Sequence, residues 1–86
     1  MRNWVYIMES ESTGQWYYGH TSDLERRRTE HNSGNTKSTK GKGPWKLIFA
    51  KEWETKSEAV SFELKLKRLR NKEFIKKQYA TFFIGV

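Results

Sequence analysis

Trp4-Val5-Tyr6-Ile7-Met8-Glu9-Ser10-Glu11-Ser12-Thr13-Gly14-Gln15-Trp16-Tyr17-Tyr18-Gly19 is the stretch that decides the fold. Its two ends, Trp4–Met8 and Gln15–Gly19, are dense in aromatic and β-branched side chains, which suit a pleated, half-buried surface. The segment between them, Glu9–Gly14, is polar and ends on a glycine. That pattern predicts a β-hairpin. A symmetric turn sets Met8 against Gln15, Ile7 against Trp16 and Tyr6 against Tyr17, so the two tyrosines share one face of the sheet.

Downstream, Ser22-Asp23-Leu24-Glu25 reads as a capping box with Ser22 as the cap, and Gly34 supplies a left-handed stop, so a helix is expected over Asp23–Ser33. Its one aliphatic residue is Leu24, and the positions that share its face are Arg27, Arg28 and His31. A helix face that should enter a core thus carries polar groups, a break in the local rule of the kind that marks functional sites. Asn35–Gly43 holds Lys37, Lys40 and Lys42 with no acidic residue and reads as a basic loop. Trp45–Ala50 after Gly43-Pro44 suits a third strand, with Lys51–Thr55 leading away from it. Ala59, Phe62, Leu66 and Leu69 recur at steps of three, four and three and predict an amphipathic helix over Lys56–Arg70. Glu63 sits on the border of that apolar stripe, where a carboxylate is only partly solvated. Arg70 or Asn71 ends the helix, a short basic helix follows over Lys72–Tyr79, and Phe82-Phe83-Ile84 packs back onto the fold.

Eighty-six residues support one domain, residues 1–86, with one modest core. We expect an α/β (α+β) architecture with a three-stranded, mainly antiparallel sheet flanked by helices. Seventeen Lys plus Arg against ten Asp plus Glu give a net charge of +7, which points to a polyanion, with nucleic acid foremost. No apolar run approaches the length of a membrane span and no signal-peptide pattern opens the chain, so no membrane partner is expected and the cytoplasm is the expected location. The absence of cysteine excludes disulfides and thiolate zinc sites, and two histidines are too few for an all-histidine zinc centre. A metal would have to be held by carboxylate.

Tyr6, Tyr17, Arg27, His31 and Glu63 are the polar or aromatic residues on inward faces, drawn from a hairpin and two helices. In this order they resemble the GIY-YIG nuclease superfamily, in particular small standalone bacterial members similar to the N-terminal catalytic domain of the UvrC repair nuclease. Val5-Tyr6-Ile7 stands at the first triplet and Tyr17-Tyr18-Gly19 at the second. Asp23–Arg27 to His31-Asn32-Ser33-Gly34 follows the family's helix, and Gly43–Leu47 and Ser57–Lys67 complete the match. The first triplet lacks its glycine and the second has Tyr18 for the middle isoleucine; both changes spare the motif tyrosines.

The resemblance implies a divalent-metal-dependent endonuclease that cleaves one DNA strand, with Glu63 holding Mg²⁺, or Mn²⁺ in its place. A hard cation of this kind accepts a single carboxylate with waters and substrate phosphate. It implies that Arg27 stabilises the charge developing on phosphorus, Tyr17 acts as general base on the attacking water, Tyr6 orients water or phosphate, and His31 relays a proton. Arg26, Arg28, Lys37, Lys40, Lys42, Lys67 and Arg70 are the candidate nucleic-acid contacts. DNA is the expected partner, with branched, damaged or flapped structures as candidate substrates in repair or recombination, and with a protein partner as a candidate source of specificity.

Plainer readings stand beside these. Tyr6 and Tyr17 suit a cross-strand aromatic pair, and Glu63 with Lys67 four residues on suits an ion pair of about 0.3–0.5 kcal/mol. His31 suits a protonated residue at a helix C-terminus. His20 reads as a turn or surface residue. The competing functions are a non-catalytic nucleic-acid-binding module with the same fold, and an interaction subunit that docks a partner through exposed Trp4, Trp16 or Trp53.

Overall fold

The aromatic ends of the opening stretch do pair, two residues away from the expected register. In the computed structural model, which describes residues 2–33, 41 and 43–84, β1 (Asn3–Ser10) runs antiparallel to β2 (Trp16–Thr21). Tyr6 lies opposite Gly19, and Met8 lies opposite Tyr17. The difference arises because Glu9 and Ser10 belong to the strand and not to the turn. Buried Ser10 is satisfied there: its Oγ accepts from Thr13 N at 3.1 Å, and its own N–H donates to Gln15 O at 2.8 Å. A slip of two residues preserves the alternation of faces, so Tyr6 and Tyr17 still lie on the same side.

β3 (Trp45–Trp53) pairs antiparallel with the other edge of β1, giving the order β2-β1-β3. The strand is longer than expected, since Lys51, Glu52 and Trp53 continue the ladder opposite Val5, Trp4 and Asn3. Ile7 and Met8 face Phe49 and Leu47, which leaves Ile48 as the extra residue of a β-bulge. The bulge lets consecutive Ile48 and Phe49 join the same core.

That core lies between the sheet and the two C-terminal helices. The first of these, α2, spans Lys56–Leu69 and opens with a complete Thr55/Glu58 capping box. It buries Ala59, Phe62 and Leu66 against Val5, Ile7 and Phe49. Truncating a side chain such as Phe62 typically costs about 3–5 kcal/mol, so this face holds the fold together. Arg70 ends α2 in a left-handed conformation, φ 51°. Helix α3 (Lys72–Gln78) is capped by Asn71 and contributes buried Ile75. After a 3₁₀ turn at Ala80–Phe82, Phe83 bridges Phe49, and Ile84 N–H donates to Ile48 O at 2.8 Å, so the tail does pack back.

The opposite face of the sheet carries a smaller cluster of Tyr6, Met8 and Trp45, flanked by Tyr17, Leu24 and Leu47. It is covered by α1 (Leu24–Asn32). The cap is Asp23, one residue later than expected, because Thr21 Oγ1 accepts from Asp23 N at 3.0 Å and Asp23 Oδ1 then accepts from Arg26 N at 3.1 Å. The expected Gly34 stop lies outside the described residues. With a single aliphatic residue to anchor it, α1 is held by polar ties. Asn32 Nδ2 donates to Trp45 O at 3.0 Å, and Trp45 N donates to Asn32 Oδ1 at 2.7 Å. Among the described residues no helix is long and apolar enough to cross a membrane.

Candidate active site

The polar face of α1 explains itself once the helix is in place. Four of the five expected residues meet there: Tyr6 and Tyr17 from the sheet, and Arg27 and His31 from α1. Tyr6 is the hub, almost wholly buried. Its hydroxyl accepts from Arg27 Nε at 3.2 Å and lies 3.0 Å from His31 Nε2. The Tyr17 ring stacks on Tyr6 at 6.3 Å between centroids and meets the His31 ring edge-on at 4.7 Å. The cross-strand aromatic pair is therefore real, and it is part of the same constellation. Arg27 is further fixed by Glu30 Oε1, 3.2 Å from its Nη1.

The electrostatics sort the roles of these groups. Burial pushes the Tyr6 phenol up to about 12, against the opposing pull of Arg27. Arg27 is held above the ordinary guanidinium range, chiefly by its hydrogen bond to Tyr6. His31 is lowered from the usual imidazole value by burial and then by the Arg27 charge, with Glu30 acting the other way. Both of the first two effects disfavour a charged His31, against the reading of a protonated histidine at a helix C-terminus. Arg27 donates to the Tyr6 oxygen, and the same hydroxyl shares a second hydrogen bond with His31 Nε2.

Glu63 approaches from the other side of β2. It is buried on α2, with Oε1 2.5 Å from His20 Nδ1 and Oε2 2.7 Å from Lys67 Nζ. Two successive residues of β2 link the carboxylate to the tyrosine hub. Gly19 lies under the Tyr6 hydroxyl and His20 holds Glu63. The Glu63 charge is among the causes that raise the Tyr6 phenol.

His20 is the residue that the sequence reading misplaced. The strand continues to Thr21, so His20 alternates with Trp16 and Tyr18 and meets α2 instead of sitting in a turn. That periodicity was the available signal. Asn32 was also missed: its clamp on Trp45 fixes the last turn of α1 and with it His31.

The basic residues are more dispersed. Arg26 and Arg28 are exposed on α1, with Arg28 4.0 Å from Glu25. Lys67 is engaged by Glu63, and Arg70 is exposed at the end of α2. Lys37, Lys40 and Lys42 lie outside the described residues. Trp16 is not an exposed docking residue: it is 7% exposed, and its indole N–H donates to Glu9 Oε2 at 2.9 Å. Trp4 and Trp53 are half-buried.

The three-stranded antiparallel sheet with flanking helices, carrying a Tyr–Arg–His cluster beside a buried glutamate, has a direct match among known proteins. Residues 2–79 match the model of the GIY-YIG catalytic domain, and the chain belongs to that nuclease family. Nucleic acid is accordingly the class of substrate. The chain is 38% identical over 74 residues to the UPF0213 protein BH0048 of Halalkalibacterium halodurans, covering 85% of this chain and 78% of that one. It is 38% identical over 72 residues to the UPF0213 protein YazA of Bacillus subtilis, covering 83% and 72%. A UPF0213 protein of Halobacterium salinarum is 41% identical over 66 residues, covering 76% and 84%. The solution NMR structure of the UPF0213 protein BH0048 from Bacillus halodurans aligns with a TM-score of 0.56 at 36% identity, covering 94% of this chain and 84% of that one.

Proposed function

We propose that this protein is a divalent-metal-dependent endonuclease that nicks DNA by hydrolysing a phosphodiester bond. The observation that supports it most is the hydrogen-bonded chain from Arg27 through the Tyr6 hydroxyl to His31, set one strand residue away from a buried glutamate. Such a chain is preorganised, so its donors need not rearrange as charge develops on the phosphate.

In this reading Arg27 places its planar fork on the phosphate oxygens. Tyr6, whose phenol is pushed up to about 12, keeps its proton at neutral pH and orients rather than abstracts. Tyr17, which shares Arg27 with Tyr6, first gives its phenol proton to solvent and then, as the phenolate, takes the proton of the attacking water. The new bond joins the water oxygen to phosphorus, the bond from phosphorus to the leaving sugar oxygen breaks, and solvent protonates that oxygen. His31 stays neutral and holds Tyr6 in place.

Glu63 suits a hard cation by its donor chemistry. Each carboxylate oxygen makes one contact and keeps lone-pair capacity, and Lys67, on a flexible half-exposed stem, supplies the compensating charge. Among the described residues no group of three His, Cys, Asp or Glu surrounds it, so further ligands would be water and phosphate, a set that Mg²⁺ and Mn²⁺ accept. When bound, the cation supplies Lewis-acid polarisation of the phosphoryl oxygen and offsets charge on the leaving oxygen.

The test is a time course on supercoiled plasmid and on a branched duplex, with Mg²⁺, Mn²⁺ or EDTA. Nicking that requires the metal is expected, and no cleavage of either substrate by wild type contradicts the reading. One observation favours a second reading, a binding module without turnover: His20 and Lys67 already engage both oxygens of Glu63 without a cation. Salt-dependent DNA binding unchanged by Glu63→Ala, without cleavage, would support it.

A further inference from the structure

A cleft of about 460 Å³ opens beside Arg27, where the end of β2, the start of α1 and the start of α2 meet. Its walls include His20, Thr21, Ser22, Arg26, Arg27 and Lys56, and no carboxylate residue lines it. We propose that this cleft seats a backbone phosphate of the bound strand next to the phosphate being cut, with Lys56 as its anchor. The proposal rests on the nuclease reading for the identity of the strand.

Charge bookkeeping separates these cations from their neighbours. Arg27, Arg28 and Lys67 each have a glutamate within 4.0 Å, whereas among the described residues Arg26 and Lys56 make no ion pair. Two cations without an ion pair face a concave wall that no carboxylate among the described residues lines, Glu63 being held behind His20, and they focus positive potential there. Lys56 is the first residue of the 14-residue helix α2, so the partial positive charge of the helix N-terminus adds to its own. Arg27 belongs both to the cleft and to the Tyr6 hub, which makes the two sites continuous. A strand whose reacting phosphate rests on Arg27 carries its neighbouring phosphate past Arg26 and Lys56. Nothing in the sequence alone singled out Lys56, because the cleft exists only once the fold brings the start of α2 up to the end of β2.

The test is DNA binding without metal. Fluorescence anisotropy of a labelled duplex in EDTA, across a salt series, compares wild type with Lys56→Ala, Lys56→Arg and the control Lys77→Ala on α3. Lys56→Ala is expected to weaken binding roughly 3- to 10-fold at low salt and to reduce the slope of log K against log salt by about one phosphate contact. Lys56→Arg restores both, and Lys77→Ala behaves as wild type. Lys56 is exposed, so the variant is expected to fold, which circular dichroism checks. Wild-type affinity and slope in Lys56→Ala overturn the proposal, as does failure of wild type to bind the duplex at low salt. Added inorganic phosphate at constant ionic strength leaves the difference between wild type and Lys56→Ala in place for a strand site; its disappearance means a free-anion site and overturns the proposal. Cleavage plays no part in this readout, so an inactive wild type counts against the nuclease reading alone.

Discussion

The Tyr6 hydroxyl fills the space that a side chain on Gly19 would need: a Cβ built there lies 2.4 Å from that oxygen and 2.6 Å from Cζ of the ring. Gly19 is not among the residues of positive φ, so its backbone conformation is open to any residue. What demands glycine is the close approach of the tyrosine on the neighbouring strand. The glycine of the second triplet and the tyrosine of the first are thus one structural unit, and they bring the phenol to its partners on α1.

Gly19→Ala is therefore expected to push Tyr6 away from Arg27 and His31. Tyr6 is buried and has no slack, so the substitution should cost about 1–3 kcal/mol by urea denaturation. Metal-dependent nicking should fall roughly tenfold or more as Arg27 loses its support. An alanine variant with wild-type stability and activity contradicts this account of the glycine.

Acid should unfold the protein partly through His31. Its folded value lies below the unfolded value of about 6.5, so at intermediate pH the unfolded chain binds a proton that the native state does not. The stabilising contribution is full above the unfolded value and is lost as pH falls toward the folded one. Thermal melts should show wild type losing more stability than His31→Gln between about pH 7.5 and about pH 5.5. Equal losses in the two proteins contradict a neutral, buried His31.

Arg70 holds a left-handed conformation at the end of α2 that a non-glycine residue adopts at a cost of about 1–2 kcal/mol. Arg70→Gly should remove that cost and raise stability by roughly 1 kcal/mol, a rise of about 4–8 °C in Tm for a chain of this size. DNA affinity should fall in the same variant if the Arg70 guanidinium reaches phosphate. A lower melting temperature contradicts the strain assignment.

Much of this arrangement was legible in the residues because side-chain periodicity survives small errors. The expected hairpin register was two residues out, yet a shift of two returns every side chain to its own face, and Tyr6 and Tyr17 stayed together. Helix α2 was legible because Ala59, Phe62 and Leu66 mark its buried stripe. The extent of the strands was not, because Ser10 and His20 are polar. Ser10 belongs in β1 only because the turn satisfies its hydroxyl, and His20 belongs in β2 only because Glu63 waits on α2. The bulge at Ile48 and the cleft wall at Lys56 depend on pairings across the fold that leave no local mark in the sequence.

In the proposed function Glu63 serves the chemistry and is not merely one half of an ion pair, and Glu63→Gln separates the two. The amide preserves the side chain's size and leaves Tyr6, Arg27 and His31 in place, while removing the charge that would hold a cation. Single-turnover nicking of supercoiled DNA in Mg²⁺ should fall roughly a hundredfold or more, with circular dichroism and DNA affinity in EDTA as in wild type. Cleavage by Glu63→Gln at the wild-type rate would rule out a role for the carboxylate in the reaction.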